Sequence, residues 1–198
     1  MNTALAALAA AFALTATGPC DEPFHWEGDG GVAVFPAATA RIDLAASEAS
    51  GPPLEGVTLP GRLVLDVGAD GLAGGRGAWT PAQPRLSLSP PGVPLSVEQP
   101  ELRIDFGDGR RPLVVRRPRS DFFPGPEGRS YYQAWADSSR LGTGAVGRFR
   151  RSGRLTVELW ARDGGGPLRR TSSARFDWAD VEALARRARD HYAACPAA

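Results

Sequence analysis

The amino-acid sequence predicts a mainly β fold: an antiparallel β-sandwich or barrel with one C-terminal amphipathic α-helix packed on it. Three observations predict this. From about residue 30 apolar residues recur with period two, the mark of strands with one buried face. The turns GADG (68–71), SPPG (89–92), GDGR (107–110) and DGGG (163–166) punctuate those runs, their Gly and Asp residues supplying positive φ and local side-chain hydrogen bonds. No long helical stretch occurs before residue 177, which excludes a doubly wound α/β fold.

Residues 4–16, ALAALAAAFALTA, form an apolar run too short to cross a bilayer and placed where the core of a secretory signal belongs. Residues 1–18 are therefore expected to be a signal peptide, and residues 19–198 one β-rich domain that is periplasmic or secreted. No transmembrane span is expected. Strands are expected where Ala40, Ile42 and Leu44 alternate with Arg41 and Asp43, and where Leu63, Leu65 and Val67 alternate with Arg62, Val64 and Asp66. Leu102, Ile104 and Phe106 interleave with Glu101, Arg103 and Asp105, and Leu155, Val157 and Leu159 with Thr156, Glu158 and Trp160. Shorter strands are expected at 32–35, 85–88, 95–98, 113–116 and 131–135. The Pro-rich stretches 51–60 and 118–128 read as surface loops.

A terminal helix is expected over 177–195, FDWADVEALARRARDHYAAC being the segment that carries it. Asp177 can cap it, Asp180 and Glu182 suit its positive end, Arg186, Arg187 and Arg189 suit its negative half, and Pro196 stops it. Trp178, Val181, Leu184, Ala185, Ala188 and Tyr192 form its apolar stripe, with His191 and Cys195 on the same side.

The chain has 198 residues, 42% of them hydrophobic and 23% charged, enough for one ordinary globular domain. Lys+Arg number 23 against 22 Asp+Glu, so the strong positive balance of a dedicated nucleic-acid binder is missing and no nucleic-acid partner is expected. Every basic residue is Arg, a bias that fits GC-rich coding and lowers the weight of any single Arg cluster.

The ending VELWARDGGGPLRRTSSARFDWADVEALARRARDHYAAC combines a strand pair, a Phe, a short cap, an Ala-rich amphipathic helix and a Cys. It resembles the ending of small exported proteins of the invasion-associated locus B type. The resemblance covers the last fifth of the chain and implies an exported β domain; Ala179-Asp180 stands where that family has Gly at the helix start. DFGDG (105–109) is similar to the turn of polycystic-kidney-disease-type β-sandwich repeats, and an Asp-Gly hairpin accounts for it equally.

Cys20, His25, His191 and Cys195 are all the Cys and His of the chain. In an oxidising compartment the thiols would form a Cys20–Cys195 disulfide closing nearly the whole chain into one loop, worth at most about 5 kcal/mol in the chain-entropy picture. In a reducing one the four residues would make a Cys2His2 zinc set; two unrelated buried thiols are the third reading. Export favours the disulfide, so no metal is expected, and His25 and His191 read as partly buried packing residues.

No G-x-S-x-G, S-x-x-K, phosphate loop or dinucleotide fingerprint occurs, so no catalytic residue is assigned and no cofactor is expected. Ser138 and Ser139 read as capping or turn residues rather than nucleophiles. Asp66, Asp70, Asp105, Asp108 and Asp163 sit in or beside Gly turns, where turn chemistry accounts for them. DVGADG (66–71) lacks the third- and twelfth-position oxygen ligands of an EF-hand calcium loop.

The most interaction-like segment is 110–135, RRPLVVRRPRSDFFPGPEGRSYYQAW, read as an Arg/aromatic loop. Arg116, Arg117, Arg119, Phe122, Phe123, Tyr131, Tyr132 and Trp135 are its candidate binding residues, since Arg and aromatics together suit a protein or glycan surface. Neighbouring aromatics on a strand face opposite ways, which exposes one of each pair unless the loop plugs a sheet end. The expected function is thus a non-enzymatic, exported envelope domain that binds a protein or glycan partner. The alternatives are a small periplasmic hydrolase using a His at the Cys20–Cys195 corner, and a structural envelope component.

Overall fold

The alternating segments pair into two antiparallel sheets that do not close into a barrel. A computed structural model of the chain describes residues 24–26, 30–34, 39–54, 57–68, 85–94 and 97–192. In chain order the elements are β1 (Phe24–Trp26), β2 (Gly31–Val34), β3 (Thr39–Ala45), β4 (Glu48–Ser50), β5 (Arg62–Gly68), β6 (Arg85–Ser89), β7 (Val93–Pro94) and β8 (Val97–Asp105). There follow β9 (Leu113–Arg116), β10 (Arg119–Pro124), β11 (Ser130–Asp137), α1 (Ser138–Leu141), α2 (Ala145–Ser152), β12 (Arg154–Asp163), β13 (Arg169–Asp177) and α3 (Trp178–Tyr192). The eight-stranded sheet runs β1-β2-β3-β5-β6-β11-β10, with β7 also on β11; the five-stranded sheet runs β4-β13-β12-β8-β9.

The core lies between the sheets and is made of the apolar half of each alternation. Ile42, Leu63, Leu65 and Leu88 from one sheet and Leu102, Ile104, Leu155, Val157 and Leu159 from the other have no exposed surface. Their polar neighbours in sequence, Arg41, Arg62, Arg103 and Glu158, stand on the outer faces, where ion pairs such as Arg62–Asp43 (2.9 Å) and Arg170–Glu158 (3.0 Å) decorate the sheets. At their exposure such pairs contribute well under about 1 kcal/mol each, so burial carries the fold.

The helix α3 contacts β1, β2 and β3 of one sheet and β13 of the other, closing one side of the sandwich. Trp178, Val181, Leu184, Ala185 and Ala188 are buried as the stripe predicts, and Tyr192 packs half-buried against the core. Close approach to β2 depends on Gly31: a Cβ there would lie 2.9 Å from Leu184 Cδ2 and 2.9 Å from Leu44 Cδ2. The sheets meet as tightly at Gly61, where a Cβ would lie 2.5 Å from that of Ala174. His191 is exposed, not part of the buried stripe: it stands two turns beyond Leu184, in the helix's last turn, with its ring edge-on to Tyr192.

Three readings need correction. Residues 119–124 are not loop but the edge strand β10, because the antiparallel register with β11 uses every residue from Arg119 to Pro124 and both prolines, 118 and 124, sit at its ends. Nor is α3 alone: α1 and α2 follow β11. In α2 Ala145, Val146 and Phe149 turn into the core, and Gly153 (φ 76°) ends the helix in the left-handed conformation. Helices of this length show too little periodicity to be read locally; packing stabilises α2, Phe149 standing edge-on to Trp178 at 5.1 Å between ring centres. Finally, β4, which the alternation did not mark, completes the five-stranded sheet beside β13, the second strand of the pair read in the ending. The expected signal peptide, the GADG turn beyond Gly68, Cys20, Cys195 and Pro196 lie outside the described residues.

Candidate functional site

The structure disperses the candidate residues of 110–135 instead of presenting them on one loop. Arg116 is exposed at the end of β9, opposite Glu101 of the five-stranded sheet. Arg117, at φ 52°, and Pro118 carry the chain across to the other sheet. On β10 and β11, Phe122 pairs with Tyr132 and Phe123 with Tyr131. Phe122 is 62% exposed at the sheet edge, its ring 5.7 Å from that of Tyr132, whereas Phe123 is half-buried.

Tyr131 and Tyr132 are both buried, at 3% and 4% exposure, and so offer no surface to a partner. Tyr132 points between the sheets, where desolvation raises its hydroxyl above the usual value against the opposing hydrogen bond of Ser120. Tyr131 points outward but is covered by the turn that follows β10. A Cβ on Gly125 would lie 2.1 Å from its ring, so glycine is what lets that turn close. The opposite-face rule for neighbours holds; exposure does not follow from it, because both faces are covered here.

Trp135 and Asp137 belong to a different feature, which Arg119 reaches through Asp137. The outward residues of β3, β5, β6 and β11 line an open groove of about 1010 Å³, walled by α1 and the residues after it. Its floor carries Arg41, Val64, Asp66, Arg85, Ser87, Trp135 and Asp137, and Ser139, Gly142 and Thr143 form the wall. The register explains the arrangement: Arg41 is opposite Asp66, Asp66 opposite Arg85, Val64 opposite Ser87, and Ser87 opposite Asp137. Arg119 sits across from Trp135 and reaches Asp137 at 3.0 Å. The wall is pinned by its first turn. Asp137 caps α1 by accepting from the Ser139 backbone N–H at 3.1 Å, and the Ser138 hydroxyl accepts from the Leu86 N–H at 2.7 Å.

Asp137 is held below the ordinary carboxylate range chiefly by the Ser139 hydroxyl, with Arg119 assisting against partial burial. It is therefore an anion at neutral pH, an acceptor of hydrogen bonds and not a proton donor. Asp66, read from sequence as a polar strand position beside a Gly turn, is an outward strand residue that takes Arg41 at 3.0 Å. Asp105 and Asp108 do serve their turn, accepting from the backbone N–H of Gly107 at 2.8 Å and of Arg110 at 3.3 Å. Arg41, Asp66, Arg85 and Ser87 were visible as the polar half of their alternations, yet nothing in the sequence says which outward residues share a row.

Elsewhere β1, which carries His25, contacts α3, which carries His191; Cys20 and Cys195 lie outside the described residues. Both histidines are exposed, not partly buried. Among the described residues no cluster of His, Cys, Asp and Glu could hold a metal ion, and no helix is long and apolar enough to cross a membrane.

Fold and groove define a class: a β-sandwich with a groove, floored by a tryptophan and bordered by charged and hydroxyl groups, across the outer face of its larger sheet. No family model, curated protein or solved structure matches the chain. The functional reading therefore rests on the groove.

Proposed function

We propose that this is an exported, non-enzymatic β-sandwich domain that binds a glycan of the cell envelope in the groove around Trp135. The observation that carries the reading is Trp135 on the floor of a concave surface that combines apolar area with charged side chains (Arg41, Asp66, Arg85, Asp137) and hydroxyl groups. A sugar ring has an apolar C–H face and a rim of hydroxyls. An indole face complements the first, and the Arg41–Asp66 and Arg119–Asp137 couples, with Ser87, Ser139 and Thr143, complement the second. A protein partner fits less well, since the centre of a protein interface is richer in apolar anchors than Trp135, Val64 and Leu86 provide. Binding fits the groove better than hydrolysis. Its carboxylates are engaged by guanidinium groups, and the Ser138 hydroxyl is spent on the Leu86 backbone.

Calorimetric titration with oligosaccharides released from the native envelope tests the proposal. Trp135→Ala should weaken binding roughly tenfold or more, about 1.4 kcal/mol, without lowering the melting temperature. Unchanged affinity in that variant would remove the groove from consideration. Capture of a protein that sugars do not compete away would favour the protein reading, and shortened sugar products the hydrolase reading.

A further inference from the structure

We infer that the groove takes an anionic saccharide, with Arg85 receiving the carboxylate or sulfate group; the inference rests on the glycan reading of the groove. Arg41, Asp66 and Arg85 stand directly opposite one another on β3, β5 and β6, so the row sets one carboxylate between two guanidinium groups. Asp66 is committed to Arg41 at 3.0 Å. Arg85 is exposed, lines the groove, and makes no ion pair with any of the described residues. The other described charges facing the groove do not compensate it, because Asp137 is already shared between Arg119, Ser139 and the α1 backbone. Among the described residues the guanidinium groups of Arg41, Arg85 and Arg119 thus face the carboxylates of Asp66 and Asp137, and the one left without an ion pair is Arg85, the residue type whose planar fork matches a carboxylate or sulfate through two parallel hydrogen bonds. Arg85 and Trp135 both line this groove, so one bound chain can meet ring stacking and the charge contact together.

The test is a titration with uronate oligosaccharides (galacturonate, glucuronate and mannuronate) and with sulfated ones, each beside its neutral, carboxyl-reduced or desulfated parent. The wild-type domain should prefer one anionic class over its parent by roughly tenfold at low salt, and the preference should shrink as salt is raised. In Arg85→Gln the ratio of anionic to neutral affinity should fall to about one, while Arg85→Lys should retain part of it. Melting temperatures of both variants report whether the fold is intact. Equal affinity of wild type for anionic and neutral members would overturn the inference and leave the glycan reading standing. An undiminished ratio in Arg85→Gln would overturn it too. Binding of no saccharide at all would end both.

Discussion

Arg148 grips Asp108 through two parallel hydrogen bonds, Nε to Oδ2 at 2.8 Å and Nη2 to Oδ1 at 3.0 Å, while its guanidinium lies 4.2 Å from the centre of the Phe106 ring. The contact ties α2 to the β8–β9 hairpin. The side-chain bond from Arg148 is the largest cause that lowers the Asp108 carboxyl from its ordinary 3.8 to about 2.

A carboxylate depressed in the folded state stabilises the fold above its unfolded pKa, and that contribution is lost as pH falls through the folded value. Asp108→Asn should therefore be less stable than wild type at pH 7, and the gap should narrow as pH drops from about 4 toward 2. Urea unfolding of both proteins across this range checks it. A gap independent of pH would mean the ion pair contributes nothing.

Helix docking depends on the absence of a side chain at Gly31, whose Cβ would crowd Leu184 and Leu44. Gly31→Val should cost about 1–3 kcal/mol through overpacking, with Gly31→Ala milder because the crowding atoms are the ends of flexible side chains. Leu184→Asp should cost more than about 3 kcal/mol by burying an unpaired charge, whereas exposed Arg186→Ala should stay within roughly 0.5 kcal/mol. Chemical denaturation of the four variants gives the order; equal effects of the last two would misplace the buried face.

Phe122 and Tyr131 separate surface from core within one hairpin. Phe122→Ala should leave the melting temperature nearly unchanged, while Gly125→Ala should lower it by forcing the turn off the Tyr131 ring. A thermal scan in which Phe122→Ala is the worse of the two would show that the exposed ring packs after all.

The contact of β1 with α3 brings the chain shortly after Cys20 beside the helix that ends shortly before Cys195. We expect non-reducing peptide mapping of exported protein to yield a Cys20–Cys195 cross-linked peptide, and Cys195→Ser to lower stability with unchanged circular dichroism. Two alkylatable thiols in the native protein would refute the bridge.

What could be read from the linear chain is whatever repeats over a few residues. Alternation in 40–44, 62–67, 102–106 and 155–160 marks strands because side chains of a strand leave on opposite sides. The stripe of Trp178, Val181, Leu184 and Ala188 marks a helix because, at about 3.6 residues per turn, positions three and four apart share one face. What could not be read depends on partners distant in sequence. The two sheets meet at Gly61 and Ala174, α2 exists because the core accepts Phe149, and even in the β10–β11 hairpin Tyr131 is buried by the fold of its turn and not by its own pattern. The groove is the extreme case. Arg41, Asp66, Arg85 and Trp135 each look like an ordinary outward residue, and strand register, set by the burial of their neighbours, is what lines them up.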